Sequence, residues 1–269
     1  MMFRLVIREL KFCFIRRPWK LLFVILPAVL LVMRERSNII YARSFQKCFE
    51  LSAGDLFISL FQGMHTYIPR ENSIFNIPYG WMLLMMMITL TVANIGNRDL
   101  EASAAVILLQ SRSRKRWAAS RFISGTIVSV MVFLLLIGIC MISARILRGQ
   151  NSLLPTRYTS EMLGMSINKA SSYGIIFLMP WLSVLTLIYI QIMIELIASS
   201  VLGYIATITL LFVSCYCSRF YLPGNGAMLI RGALCENAIP TILTMITDCC
   251  VMIGSICIGC AGFMKKDIR

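Results

Sequence analysis

The sequence predicts an all-α, polytopic membrane protein with six transmembrane helices, an N-terminal amphipathic interface helix, and both termini in the cytoplasm. Three observations carry this prediction. Of the 269 residues, 58% are hydrophobic and only 14% are charged, whereas soluble domains carry about 25% charged residues. The apolar residues form continuous runs rather than an alternating pattern, which favours helices over barrel strands in lipid. The Lys and Arg residues flank these runs, and we expect none of them deep inside one.

Residues 1–18 are predicted to form the amphipathic helix. The spacing of its first three cations places them on one helical face, which suits a helix that lies along anionic headgroups of the inner leaflet. The cations of this segment are Arg4, Arg8, Lys11, Arg16 and Arg17. Pro18 then interrupts the helix. Because no small-residue cleavage site follows, we interpret the segment as an uncleaved anchor.

Six apolar runs are each long enough, or nearly so, to cross a hydrocarbon core that requires about 20 residues. The predicted spans cover residues 19–33, 79–96, 122–144, 174–194, 200–217 and 241–264. The first span is short, but Lys20 and Arg34 can extend their charged ends to the interfaces. The apolar stretch 174–217 exceeds one crossing, so we expect a tight hairpin near Glu195 and Gly203.

The distribution of basic residues predicts the orientation of the spans. With a cytoplasmic N-terminus, 15 of the 26 Lys and Arg residues lie in the short inner segments, and the others are spread over longer outer segments. This asymmetry follows the positive-inside rule, and Lys265 and Lys266 near the C-terminus agree with it. Residues 97–121 therefore form a predicted cytoplasmic loop.

This loop has the charge order of a helix that could dock on another protein. Asp99 and Glu101 fall in the first turn of a predicted helix over 102–110, and cations follow its end, which complements the helix dipole. The candidate docking residues are Arg98, Asp99, Glu101, Gln110, Arg112, Arg114, Lys115, Arg116 and Trp117. The alternative is that these cations only obey the positive-inside rule and contact lipid phosphate. The residues by themselves leave both interpretations open.

Several short stretches occur in an order that resembles the permease subunits of type-2 ABC exporters, especially small Firmicute permeases associated with bacteriocin or peptide export and immunity. They are SAGDLFISLFQGM at 52–64, IPYGW at 77–81, RDLE at 98–101, QSRSRKRW at 110–117 and MLIRG at 228–232. The resemblance implies a bacterial plasma-membrane subunit that forms a translocation path, with peptide as the expected cargo. It also implies a second permease copy or a paralogue as partner.

The same resemblance assigns roles to three segments. It implies that 97–121 contains a coupling helix that docks on an ATPase subunit, and that the N-terminal helix makes a second contact with this subunit. It further implies that 218–240 is an outer re-entrant element, helical, broken at Pro223 and Gly224, and shielded by protein. Its tip comprises Pro223, Gly224, Asn225 and Gly226. The outer loop 34–78 is longer than the family's minimal pattern, and we expect its 56–61 run in the membrane interface.

The chain lacks the GxxxxGK[ST] pattern of a phosphate-binding loop. If ATP drives transport, another polypeptide must therefore bind ATP and Mg and hydrolyse the nucleotide. We accordingly expect no cofactor in this chain and no catalytic residue, so the chain is predicted to be a transport subunit rather than an enzyme.

Asp248 is an ionisable residue within the sixth predicted span, where an unpartnered charge costs on the order of 3 kcal/mol. It either lines a transport path or proton relay, or makes a structural hydrogen bond to Thr or Tyr on a neighbouring helix. The ten cysteines and 18 methionines are interpreted as apolar packing residues rather than metal ligands, since no four-ligand set converges. Cys48 and Cys235 both fall in predicted outer segments and could pair.

Two other function classes remain. A stand-alone secondary transporter or channel would be expected to show internal repeats or several intramembrane charges. A membrane protease or acyltransferase would need a histidine with an acidic or zinc partner, and the chain has a single histidine, His65, in a predicted outer loop. Both classes fit the sequence less well than an exporter subunit.

Overall fold

The computed structural model describes residues 19–44, 50–67, 75–96, 114–165, 173–232 and 239–265. Its α-helices are α1 Trp19–Ser44, α2 Ala53–Leu60, α3 Tyr79–Val92, α4 Arg114–Ile146, α5 Arg157–Glu161, α6 Tyr173–Ile197, α7 Ser200–Tyr216, α8 Pro223–Gly226 and α9 Thr241–Lys265. A short 3-10 helix, Leu229–Arg231, follows α8. The described residues contain no strand, only one isolated bridge between Ser52 and Gln150. The predicted interface helix 1–18, Cys48 and Cys235 lie outside these ranges.

Three helices are long and apolar enough to cross a membrane: α4, α6 and α9. This confirms an all-helical, membrane-embedded chain for the residues described. A helix also occupies each of the other three predicted spans. Of these, α3 and α7 are shorter, with 14 and 17 residues, and α1 carries Arg34, Glu35 and Arg36 in its second half.

The turn between α6 and α7 is very short. α6 ends at Ile197 and α7 begins at Ser200, where the Ser199 hydroxyl caps the new helix by accepting from the Leu202 N–H at 3.3 Å. Gly203 permits the close return of the chain, because a Cβ there would lie 2.9 Å from the Gln191 carbonyl oxygen. The hairpin therefore lies within the region where the sequence predicts it.

The helices form a bundle with two distinct ends. The end that contains the α6–α7 turn is hereafter called the hairpin end. Lys20, the turn 93–96 and the last turn of α9 lie at the same end: Lys20 bonds to the turn 93–96, and this turn and α9 both contact α6. At the opposite end, hereafter the capped end, α2, α5, α8 and the 3-10 helix pack among the helix termini. Successive long helices thus run in alternating directions between the two ends.

α6 lies at the centre of the bundle. It packs against α3, α4, α7, α8 and α9, and most residues of its apolar stretch are buried within the chain. By contrast, α9 exposes large apolar side chains on its outward face, for example Ile242 and Ile253. Because the opposite face of α9 packs on α6, the outward face is the one that lipid or another protein can cover.

Two helices extend beyond the predicted spans, and one expected position differs. α1 extends past residue 33 to Ser44, and Glu35 within this extension accepts a hydrogen bond from Tyr158. The described part of α4 starts at Arg114, ahead of the span predicted from 122, and Trp117 in this part packs on α9. The 56–61 run does not lie at the surface: Leu56, Phe57, Ile58, Leu60 and Phe61 are fully buried, and α2 packs against α1 and α4.

Candidate functional site

At the hairpin end, Glu195 holds the turn that follows α3. Its two carboxylate oxygens accept separate backbone hydrogen bonds, from the Asn94 N–H at 3.1 Å and from the Gly96 N–H at 2.8 Å. The Gln191 side-chain amide donates to the same carboxylate at 3.1 Å. Glu195 is fully buried, so these three donors replace the water that the carboxylate has lost. Asn94 itself has a left-handed backbone conformation, with φ of 78°, which asparagine tolerates better than most residues.

Lys20 holds the same turn from another helix. Its ammonium group donates to the Ala93 carbonyl at 2.8 Å and to the Thr91 carbonyl at 3.3 Å. These carbonyls lie at the C-terminus of α3, where a cation also complements the helix dipole. The turn 93–96 is thus held by α1 through Lys20 and by α6 through Glu195. We call these two side chains together the clasp.

The first turn of α4 presents a cluster of exposed cations at the same end. Arg114, Lys115 and Arg116 are exposed, and they directly follow the segment 97–113. Trp117 is different, because its ring is fully buried and stacks on Phe263 of α9 with ring centroids 4.7 Å apart. Of the described residues that are predicted to dock, Arg114, Lys115 and Arg116 are therefore exposed and Trp117 is not. Arg98, Asp99, Glu101, Gln110 and Arg112 lie outside the described residues.

Arg121 flanks the predicted third span, as expected, but it is buried rather than exposed. Predicted as part of a cytoplasmic loop, it is fully buried in α4, and its guanidinium carbon lies 4.3 Å from the centre of the Trp117 ring. A guanidinium over an indole face gains a cation–π attraction of about 2 kcal/mol when desolvated. The aromatic partner one turn earlier explains how α4 accommodates this charge.

Asp248 faces the interior of the bundle. It is 2% exposed and accepts a hydrogen bond from the Ser183 hydroxyl of α6 at 2.7 Å. Close to this bond lies α8, since a Cβ added to Gly226 would overlap the Ser183 hydroxyl oxygen. The Thr186 hydroxyl of α6 also donates to the Asp248 backbone carbonyl at 3.5 Å. These hydrogen bonds to a neighbouring helix resemble the structural alternative predicted from the sequence, with a serine as the donor to the carboxylate.

At the capped end, Arg231 is 3% exposed and has all of its N–H groups directed at oxygen atoms. Nε donates to the Met64 carbonyl at 2.9 Å, and Nη2 donates to the His65 and Cys215 carbonyls. Nη1 donates to the Ser214 carbonyl at 2.6 Å and to Asn225 Oδ1 at 2.7 Å. Because Ser214 and Cys215 end α7, the cation also complements the negative end of that helix.

These contacts hold the segment that is predicted to be the re-entrant tip. Pro223, Gly224, Asn225 and Gly226 are all buried within protein. Pro223 occupies the first position of α8, where a proline needs no N–H partner, so it begins a short helix instead of breaking one. Gly224 allows α7 to approach, since a Cβ there would lie 2.6 Å from the Ser214 side chain.

Also at the capped end, the buried carboxylate of Asp55 holds α2 to the segment that contains α5. Ser52 and Asp55 form a capping box at the start of α2, and the Asp55 carboxylate also accepts from the Thr156 N–H at 2.8 Å and the Thr156 hydroxyl at 2.7 Å. The Thr159 hydroxyl donates to it as well. The carboxylate is fully buried, and these donors replace the water that it has lost.

Next to this group, Tyr158 donates to the Glu35 carboxylate at 2.8 Å. Burial raises the pKa of Tyr158 well above its ordinary value, and the adjacent Glu35 charge raises it further. The phenol therefore remains protonated and continues to donate. This bond joins α1 to α5, so the short helices of the capped end are linked to one another and to the long helices.

The sequence interpretation missed the main polar contacts. The sequence predicts Glu195 only as a hairpin marker, Lys20 only as a cation at the membrane interface, and Arg231 and Asp55 only as members of the MLIRG and SAGDLFISLFQGM stretches. One local signal existed for Asp55, because Ser-x-x-Asp before an apolar run is a helix N-terminal pattern. No local signal indicates that Glu195 contacts a turn about 100 residues away.

The described residues contain no cluster of three or more His, Cys, Asp or Glu side chains that could hold a metal. Backbone, hydroxyl and amide groups surround the buried charges of Glu195, Asp55 and Arg231, an arrangement that positions helices. The residues of the interface helix, Arg4, Arg8, Lys11, Arg16 and Arg17, lie outside the described ranges.

Comparison with known proteins gave no match: no family model, no curated protein and no solved structure is similar to this chain at a significant level.

Proposed function

We propose that this chain is the transmembrane subunit of an ATP-driven ABC exporter, with six spans, the hairpin end in the cytoplasm and the capped end outside. The observation that carries the proposal is the exposed cationic turn Arg114–Arg116. It continues the acidic-then-basic segment 97–113 in a chain without a phosphate-binding loop of its own. A separate ATPase subunit, binding ATP and Mg, would dock there.

The placement of charge supports this orientation. In the sequence, the short segments predicted to lie inside carry 15 of the 26 Lys and Arg residues, among them Lys20, Arg114, Lys115, Arg116 and Lys265, as the positive-inside rule expects of a cytoplasmic face. The capped end is the face filled by short buried elements, as an outer closure of the path requires. The cargo we propose is a peptide or another amphipathic molecule, and a second permease copy or a paralogue completes the path.

The proposal is tested by purifying the chain from its native membranes in mild detergent and identifying its partners. We expect an ATPase subunit to co-purify and to hydrolyse ATP. The double variant Arg114→Glu/Arg116→Glu should lose most of the ATPase while remaining folded in the membrane. The matched control is Arg157→Glu/Arg219→Glu, which reverses two exposed charges at the capped end and should retain the ATPase. Recovery of a lone chain that transports without ATP would contradict the proposal.

A stand-alone secondary transporter is the second candidate, and Asp248 is the observation that favours it. A buried carboxylate inside a spanning helix is a typical ion or proton site. Asp248→Asn keeps an acceptor for Ser183 but removes the charge. Ion-driven uptake into vesicles that is lost in this variant and insensitive to ATP would support the secondary transporter instead.

A further inference from the structure

We propose that Glu195 is a positioning residue that transmits movement of the ATPase-docking segment to the central helix α6. This inference rests on the proposed function, because it requires an ATPase at the segment that follows residue 96. It gives the clasp a role in coupling in addition to holding the turn 93–96.

The first support is the geometry of the carboxylate. One oxygen accepts from Asn94 and the other from Gly96, at 3.1 and 2.8 Å. Two bonds to amides two residues apart fix the direction of the turn as well as its distance from α6. The chain enters 97–113 directly after Gly96, so the last described residue before the proposed docking segment is itself bonded to α6.

The second support is close packing around Glu195. A Cβ on Gly96 would lie 2.7 Å from the Glu195 Cβ, and a Cβ on Gly203 would lie 2.8 Å from its Cγ. Glycine on both sides brings the backbones of the turn and of α7 against one side chain. Because close-packed interiors transmit displacement rather than absorb it, a shift of the turn must also move the end of α6.

The third support is the path from Glu195 to the capped end. Ser183 lies on the same helix, 12 residues earlier, or about 18 Å at 1.5 Å per residue. There it donates to Asp248 of α9 and lies against Gly226 of α8. One continuous helix therefore connects the turn before the docking segment with the element that fills the capped end.

Lys20 attaches the same turn to a second helix, α1. It holds the carbonyls of Thr91 and Ala93 to α1, whereas Glu195 holds the following amides to α6. The turn is thus bonded to two different helices, so a displacement of the turn acts on both of them.

The test uses Glu195→Gln in the complete complex with its ATPase. Glutamine has the same shape, but its amide N–H group faces one of the two backbone donors. We measure amide hydrogen exchange of residues 223–232 with and without ATP, Mg and vanadate. In the wild-type complex we expect nucleotide to change this exchange. In the variant we expect ATPase binding and ATP hydrolysis to be retained and the change to shrink about fivefold or more, within the range of typical coupling effects.

Gly96→Ala is the second variant, because its added methyl displaces the same carboxylate from the opposite side. It should show the same loss, and it decides the question if Glu195→Gln does not fold. Glu161→Gln, an exposed site on α5, is the matched control and should behave as wild type.

The outcomes separate the two proposals. If no ATPase accompanies the wild-type chain, the proposed function fails, and this inference fails with it. If the ATPase is present and either variant retains the full nucleotide-dependent change at 223–232, the inference about Glu195 is overturned and the proposed function stands. Loss of the change in the recovered variants, with ATP hydrolysis preserved, supports it.

Discussion

Both ends of the bundle carry exposed cations, including Arg157 and Arg219 at the capped end, but the two ends differ in how their buried charges hold the chain. At the capped end, Arg231 and Asp55 are buried, and each is surrounded by hydrogen-bonding groups from several segments. At the hairpin end, Arg114, Lys115 and Arg116 are exposed, and the buried contacts are concentrated on one four-residue turn. A buried charge with several hydrogen-bonding partners fixes the segments around it, whereas exposed side chains are accessible to a partner protein. The comparison is consistent with the proposal of a stable capped end and a docking face at the hairpin end.

The largest expected effect is at Arg231. Arg231→Met leaves the Ser214, Cys215 and Met64 carbonyls without their donor, and each unsatisfied buried group costs about 1–3 kcal/mol. We expect the free energy of unfolding to fall by about 3 kcal/mol or more, measured by denaturant titration in detergent. Arg219→Met, an exposed arginine of the same end, should change little. Equal effects of the two variants would mean that the capped end is not held by this residue.

A smaller loss is expected at Asp55. Asp55→Asn places an amide N–H group against donors from Ser52 and Thr156, so the free energy of unfolding should fall by about 2 kcal/mol. The loss should be local, with faster hydrogen exchange in α2 and α5 than in α9. Glu50→Gln changes an exposed carboxylate beside it and serves as the control. Uniform acceleration across the chain would argue against a separate capped end.

Asp248→Asn should have a modest effect on stability, about 1 kcal/mol, because the asparagine oxygen still accepts from Ser183. It separates the two interpretations of this residue. If Asp248 is structural, transport by the complex stays near the wild-type rate. If it lines the path or relays a proton, transport falls while the amount of protein in the membrane is unchanged.

The smallest stability effect is expected for Arg114→Gln/Arg116→Gln at the hairpin end. Exposed charges contribute little to the folded state, so the unfolding midpoint should not move. The same variant should weaken ATPase binding, measured as the ATPase recovered per permease at increasing salt. A clear drop in stability without loss of the ATPase would reverse the expected roles of the two ends.

The sequence predicted the positions of the long helices because continuous apolar runs depend only on local composition. It placed the hairpin correctly within 195–203 for the same reason, since the apolar stretch is too long for one crossing. Local composition did not indicate how charges next to the apolar runs are buried. Glu35 in α1 accepts a hydrogen bond from Tyr158, and the Arg121 guanidinium lies over the Trp117 ring.

The candidate site was harder to predict for a related reason. The exposed cations at 114–116 could be identified from their run in the sequence. The roles of Glu195 and Arg231 depend largely on hydrogen bonds to backbone groups of distant segments, and almost any residue type supplies those groups. Residue identity therefore carries no sign of such a partner, and only the fold brings Glu195 to Gly96 or Arg231 to Met64.

Site-specific photo-crosslinking tests the proposed docking face most directly. A photoreactive residue at position 115 lies at the hairpin end, and one at Met162, also exposed, lies at the capped end. Illumination of intact native membranes should join position 115 to an ATPase subunit, identified by mass spectrometry, and should give no such adduct at position 162. An ATPase adduct at 162, or none at 115, would contradict the account.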